Sequence, residues 1–266
     1  MTIIPLTDPA DPRIADYLNI RERDLVGRRG RVVIEGRVVL ETLLSPASRA
    51  RPLSALIAAH RIEALSDLLA RMPEAAPVFA AEQAVMDAVV GFPIHRGILA
   101  MADRPADLTP GELLAEAPDD AVVVVAAGVS NHDNLGGILR NGAAFGAHGV
   151  MLDDRCSDPF YRKAVRVSVG AALRLPLSTG RPIGKLLDAL TTSGFEPLAL
   201  SPGGETPLHA LRPGGRRALI LGAEGPGLSA EVLARCHTVA IPMYGGFDSL
   251  NVTTAGAVAL SRLRAG

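Results

Sequence analysis

The 266-residue sequence predicts an α/β protein in two domains, the second built on a parallel β-sheet. Three observations lead there. Residues 121–126 read Ala-Val-Val-Val-Val-Ala, the composition of a central strand buried on both faces. Short β-branched stretches alternate with segments of helical period along most of the chain. Three glycine-bearing turns, at 130–137, 222–228 and 244–249, follow strands, and in open α/β sheets such strand ends are where ligands bind.

Residues 1–30 are polar and proline-bearing, then strongly charged. Five arginines against two acids in 21–31 suit a face for a polyanion and equally suit a solvated helix and turn. A strand follows at 32–34, a turn at Glu35-Gly36 and a helix at 37–44. Strands at 53–58, 78–80 and 97–101 then alternate with helices at 62–71 and 82–89, which describes a small α/β sandwich. The stretch 103–120 carries Pro105, Pro110 and Pro118 without a strand pattern and reads as a linker with a short helix. Domains are therefore expected at 1–104 and 121–266, joined by 105–120.

In the second domain helices are expected at 134–145, 161–173, 184–192 and 229–235. Strands are expected at 121–126, 149–152, 197–200, 217–221 and 237–241. Pro242 ends the last strand, and a glycine-rich loop leads to a final helix. In it Leu250, Val252, Ala255, Val258, Ala259 and Leu263 recur near helical spacing, with Ser249 or Asp248 as N-cap.

Composition removes several classes of function. The longest apolar run, 121–129, is far short of the roughly 20 residues of a membrane-spanning helix, and the N-terminus lacks the layout of a secretion signal, so a cytoplasmic protein is expected. Cys156 and Cys236 stand outside any CxxC pair and read as buried thiols; the six histidines show no ligand spacing, so no metal is expected. A net charge of −1 argues against an all-over basic surface. Aromatic residues at 3% with no Trp argue against base-stacking platforms, though a local basic face stays open.

Neither a GxGxxG fingerprint nor a P-loop is present; Gly222, Gly225 and Gly227 give GxxGxG, weak on its own. Each glycine turn does carry polar residues that strand-end packing seldom needs: Asn134 and Arg140, Glu224, and Ser249 with Asn251. Arg140 is either a surface arginine or a planar, permanently charged donor aimed at a phosphate or developing oxyanion. Glu224, between glycines and beside a proline, is held by backbone, which suits a group that orients another side chain.

These motifs carry a resemblance. Asn134-Leu-Gly-Gly-Ile-Leu-Arg140 with Phe145-Gly146, then Leu221-Gly-Ala-Glu-Gly-Pro-Gly-Leu-Ser229, then Ile241-Pro-Met243 with Ser249-Leu-Asn-Val252, resemble in order and spacing the three motifs of the SpoU (TrmH-type) RNA ribose 2′-O-methyltransferases of the SPOUT superfamily. Ser157-Asp-Pro-Phe160 with Lys163, Arg166 and Ser168 resembles the segment between the first two motifs. Val33-Ile-Glu-Gly36 and His95-Arg-Gly-Ile98 resemble the family's N-terminal RNA-binding domain, whose fold is like that of certain ribosomal proteins. The chain departs from the pattern at His132-Asp133, Asn141-Gly142, Ala223 and Thr253.

The resemblance implies a catalytic domain with a C-terminal trefoil knot, and S-adenosylmethionine held around Gly222, Ile241, Met243 and Leu250. It implies methylation of a ribose 2′-hydroxyl, with Arg140 central and Asn134, Glu224, Ser249 and Asn251 positioning it. RNA, rRNA rather than tRNA, would be bound partly through Arg28, Arg29, Arg31 and Arg37 by a homodimer needing no metal. Two rival classes remain. A non-catalytic RNA-binding ribosome assembly factor has no reason to keep Arg140, Glu224, Ser249 and Asn251 together, and a nicotinamide-dependent oxidoreductase lacks its fingerprint.

Overall fold

The computed structural model describes residues 2–18, 20, 30–212 and 214–264. In chain order the first elements are β1 (Ile3–Leu6), β2 (Arg31–Glu35), α1 (Arg37–Leu43), β3 (Pro52–Ala58), α2 (Ser66–Leu69), β4 (Val78–Ala81), α3 (Gln83–Val90) and β5 (Ile98–Asp103). Then come α4 (Pro110–Leu114), β6 (Val122–Ala127), α5 (His132–Ala144), β7 (Gly149–Asp153), α6 (Arg162–Val167), β8 (Leu177–Arg181) and α7 (Ile183–Thr192). The last are β9 (Glu196–Leu200), β10 (Thr206–Pro207), β11 (Arg217–Gly222), α8 (Ala230–Ala234), β12 (His237–Ala240) and α9 (Val252–Arg264). Two compact units divide the chain: Met1–Pro105 with Asp158–Arg174, and Ala106–Ser157 with Leu175–Gly266.

The first unit is a five-stranded sheet in the order β1-β4-β3-β5-β2, with β1, β4 and β3 parallel and β5 antiparallel to both its neighbours. Its core takes in Leu56, Phe79, Met86 and Leu99, and also Ile14, Tyr17 and Ile20 from the stretch that reads as polar in sequence. The reason is a 3-10 helix over Pro12–Tyr17. Asp11 caps it by accepting from the Arg13 amide at 2.8 Å, and the Arg13 guanidinium on that carboxylate holds its pKa down at about 2. The Tyr17 hydroxyl meets Ser54 Oγ at 2.7 Å, and burial pushes its pKa up. β1 was not expected; it is four residues long and contains Pro5, which an edge strand tolerates. The expected helix 62–71 is instead one 3-10 turn, Glu63–Leu65, and the short α2, because its buried Leu65, Leu68 and Leu69 supply barely one turn of apolar face.

The segment Asp158–Arg174, expected within the second domain, packs with this first unit. Glu35, buried at the end of β2, accepts from Arg162 Nη1 at 2.5 Å and from Arg166 Nη1 at 3.3 Å, and Arg162 lies 5.0 Å over the Phe92 ring. Gly170, at φ +84°, comes so close to Thr42 that a Cβ would sit 2.8 Å from its side chain. α6 stops at Val167 rather than running to 173 because Val169, at φ +49°, and then Gly170 leave the helical region.

The second unit is a seven-stranded, wholly parallel sheet in the order β10-β12-β9-β11-β6-β7-β8. β6 is buried at every residue, as its composition predicts. β8 escaped the sequence reading because Leu-Ser-Thr-Gly-Arg, at a sheet edge, shows neither alternation nor a β-branched run. One face of the sheet is covered by α7 through Leu186, Leu187 and Leu190. α5 and α9 pack against each other, where a Cβ on Gly137 would lie 2.5 Å from the Thr253 methyl, and α9 packs on β11, where a Cβ on Gly256 would lie 3.0 Å from Leu221. The small residues of α9 are thus used inside the chain. No helix among the described residues is long and apolar enough to cross a membrane.

The Glu35 cluster gives a stability test. Removing one member of a buried ion pair typically costs about 3–5 kcal/mol, whereas an exposed i,i+4 pair such as Arg37–Glu41 contributes about 0.3–0.5 kcal/mol. Glu35→Ala is expected to lower the melting temperature by roughly 6 °C or more and Arg37→Ala by less than about 2 °C in the same thermal scan.

Candidate active site

The three glycine turns of the second unit meet at one side chain. α5 opens behind Gly128, at φ +70°, and Asn131, whose Oδ1 caps the amides of Asp133 at 2.8 Å and Asn134 at 3.4 Å. The turn is tied to the sheet by buried Asp153, which accepts from the Gly128 amide at 2.9 Å and the Arg155 amide at 3.1 Å. Asn134, in the first turn of α5, is buried and points its Oδ1 at Asn251 Nδ2, 3.1 Å away.

The second turn explains the GxxGxG spacing. The chain after β11 doubles back on itself: the Gly227 amide donates to Ala223 O at 3.1 Å, and a Cβ on Gly222 would fall 2.6 Å from the Gly227 carbonyl carbon and 2.7 Å from the Leu228 nitrogen. Gly222 is required by its own loop's backbone, and Gly225 and Gly227 by positive φ. Glu224 stands exposed on this loop with Oε1 accepting from Asn251 Nδ2 at 2.9 Å.

The third turn ends in Asn251 itself. Sequence reasoning gave the N-cap of the last helix to Ser249 or Asp248. The structure gives it to Asn251, whose Oδ1 accepts from the Thr253 amide at 2.9 Å and from the Thr253 hydroxyl, while its carbonyl accepts from the Ala255 amide at 2.9 Å. The reason is reach: the first helical residue is Val252, so the side chain that reaches the N2 amide belongs to residue 251. Both amide protons and both acceptor positions of Asn251 are thereby occupied. Thr253, which sequence reasoning treated only as a departure, completes the junction by accepting from Asn141 Nδ2 at 2.7 Å on its carbonyl. Asn141, another departure, is accordingly a helix-packing residue.

Beyond the carboxyl ends of β9, β11 and β12 lies a cavity of about 720 Å³. Gly222, Ile241, Met243 and Leu250 all line it, as do Glu224, Ser249 and Asn251. Its wall combines backbone of the 222–228 loop with apolar Leu221, Met243 and Val252. Leu200, Ser201 and Pro202 also line it and were missed; the signal was the Ser-Pro-Gly-Gly turn after a strand. Asn134 joins through Asn251. Arg140 does not: it is exposed, with no hydrogen bond or ion pair to any of these groups.

Outside this cluster, Arg31 of the first unit pairs with Asp16, and Arg37 with Glu41 at 2.7 Å. Arg28 and Arg29 lie outside the described residues. Cys156, half-buried rather than buried, donates to Ala126 O at 3.3 Å; burial, then the nearby Asp153 carboxylate, pushes its thiol up to about 12, so it stays protonated. Burial also raises Cys236, likewise half-buried.

Known proteins resemble this chain in sequence and fold. An uncharacterised tRNA/rRNA methyltransferase of Mycobacterium tuberculosis is 39% identical over 269 residues, spanning 97% of this chain and 91% of its own. A solved RNA 2′-O ribose methyltransferase is 25% identical and superposes with a TM-score of 0.75 over 98% of both chains. An AdoMet-bound rRNA methyltransferase from Sinorhizobium meliloti has the same fold at 21% identity, with a TM-score of 0.78 over 98% of this chain and 97% of that one. The profile of the SpoU rRNA methylase family matches residues 121–261, which contain all three glycine turns and the asparagine that joins them, and the chain belongs to that family.

Proposed function

We propose that this protein transfers a methyl group from S-adenosylmethionine to a ribose 2′-hydroxyl of RNA, rRNA rather than tRNA. The observation that carries the reading is the junction of Asn134, Glu224 and Asn251 at the wall of the cavity. The name of the family supports rRNA, and the 25%-identical RNA 2′-O ribose methyltransferase supports the ribose as acceptor.

The residues fit the donor. A volume of about 720 Å³ is within the range of small-molecule sites, apolar side chains suit a nucleoside, and a glycine loop offers backbone groups that no side chain covers. Gly222, Ile241, Met243 and Leu250 would hold it. Bound there, S-adenosylmethionine supplies a methyl group on a positively charged sulfur that leaves as a neutral thioether.

The chain's own residues must then ready the hydroxyl. Arginine is too basic to take a proton near neutrality. Arg140, whose guanidinium is free in the structure, clamps the phosphate beside the target ribose and stabilises the emerging alkoxide while that phosphate accepts the proton. Glu224 and Ser249 face the cavity and orient the ribose. Asn251, with its hydrogen-bonding capacity used, and Asn134 act as positioning residues. In this reading residues 241–264 thread the trefoil knot, residues 1–104 with Arg28, Arg29, Arg31 and Arg37 engage RNA, and the enzyme works in the cytoplasm without metal. The active form is a homodimer joined along the outward side of α9, where Val258 is exposed.

Calorimetry on the wild type is expected to show one S-adenosylmethionine site per chain, with or without chelator. Gly222→Val should lose it, because the new side chain displaces the loop backbone at Gly227 and Leu228; undiminished binding would place the donor elsewhere. Light scattering should find a dimer, and an active monomer would refute that assembly. Arg140→Ala should keep donor affinity while turnover falls roughly 100- to 1,000-fold, the usual effect of removing one preorganised oxyanion donor. Arg140→Lys should recover little, since a point charge cannot make a two-pronged contact. A full single-turnover rate in Arg140→Ala with only weaker RNA binding would reduce Arg140 to a phosphate contact.

A further inference from the structure

The chain has nine aromatic residues, six Phe and three Tyr. Seven of them are buried or half-buried: Tyr17, Phe79, Phe160, Tyr161 and Phe195 in the interior, Phe92 and Phe145 partly so. The other two, Tyr244 at 87% and Phe247 at 76% exposure, stand on one turn. Water-facing aromatic surface is costly, and a protein this poor in aromatics that places both exposed ones three residues apart has concentrated it.

The turn is built to present them. Gly245 and Gly246 have φ of +68° and +77°, the sign pattern of a type I′ turn, and the Phe247 amide donates to Tyr244 O at 3.4 Å. That closure brings positions i and i+3 together, so the two rings leave the same short segment. Residues on either side of the turn, Met243 before it and Asp248, Ser249 and Leu250 after it, line the cavity. The rings therefore sit at the cavity's edge, next in sequence to the groups assigned to the donor and the ribose, and neither ring lines the cavity.

We propose that Tyr244 and Phe247 form a stacking site for an unpaired nucleobase of the substrate RNA, beside the ribose to be methylated. The inference rests on the reading of the protein as an RNA methyltransferase and adds how the substrate is gripped. A ribose in a regular duplex is held by its stacked base, and proteins that select single-stranded or looped RNA splay bases onto aromatic faces. Asp248, directly after Phe247 and also at the cavity, repels phosphate but accepts from base N–H groups, so this edge suits a base rather than the backbone. A base fits better here than a second copy of the chain. Two flat rings on a glycine turn match the flat face of a base, and Val258, the exposed apolar residue of α9, lies on a separate element.

Because the chain contains no Trp, Phe247→Trp introduces a single fluorophore at the site. Titration with single-stranded poly(A) is expected to quench it, and poly(A)·poly(U) duplex at equal nucleotide concentration to quench it far less. Tyr244→Ala with Phe247→Ala should weaken binding of single-stranded RNA by about tenfold or more, as loss of stacked bases does. The double variant should retain calorimetric affinity for S-adenosylmethionine, which shows the neighbouring cavity intact, and Phe247→Tyr should restore RNA affinity. Equal quenching by duplex, or methyl transfer by the double alanine variant at unchanged KM, overturns the stacking site and leaves the enzyme reading in place. Loss of RNA binding that light scattering traces to a lost dimer also overturns it, since a second copy then covers the rings. Quenching by single strands in a protein that transfers no methyl group supports the stacking and removes the enzyme reading.

Discussion

The carboxamide of Asn251 is the contact on which the second unit's site depends. Its Nδ2 donates to Glu224 and Asn134, and its Oδ1 starts α9 through Thr253, so one planar group sets three loops that are far apart in sequence. Few other side chains can do this. An aspartate has the same shape but no protons to donate, and it would set a second negative charge against Glu224. A glutamine has the same groups on a longer stem and no longer reaches its own helix's N2 amide. Each loop is otherwise shaped by its own backbone, as with the fold of Gly222 onto Gly227, and has no independent reason to approach the others. Asn251 ties the second and third turns, which line the cavity, to Asn134 of the first.

Much of this was readable in advance where the signal is local. The β6 run and the GxxGxG turn are short-range features whose physics lies in a few adjacent residues: β6 is buried along its length, and the 222–228 loop lines the cavity with Glu224, Ser249 and Asn251. What failed was long-range. Ile14, Tyr17 and Ile20 are separated by polar residues and look solvated, yet all three are buried in the core of a sheet whose strands come mostly later in the chain. Gly256, in the middle of the final helix, owes its small size to Leu221, a strand residue 35 positions earlier in the same chain. Arg140 could have been placed better from the helix itself. Six residues put it roughly 120° round the axis from Asn134, while Asn141, seven residues on, returns to the face that meets Thr253. An arginine so placed is available to something outside the chain.

Composition is an average over the whole chain. An aromatic content of 3% argues against stacking platforms when averaged over the whole molecule, yet the two exposed rings share a single glycine turn beside the cavity. A site needs only the few residues that touch its ligand. In the proposed reaction free Arg140 would supply charge, helix-capping Asn251 the scaffold, and exposed Tyr244 and Phe247 the contact.

The account is tested most directly by following label from methyl-labelled S-adenosylmethionine into ribosomal RNA and then hydrolysing the product in alkali. A methylated 2′-hydroxyl can no longer attack the neighbouring phosphate. The account therefore predicts that the label stays in alkali-resistant dinucleotides; label released in mononucleotides would put the methyl group on a base and contradict it.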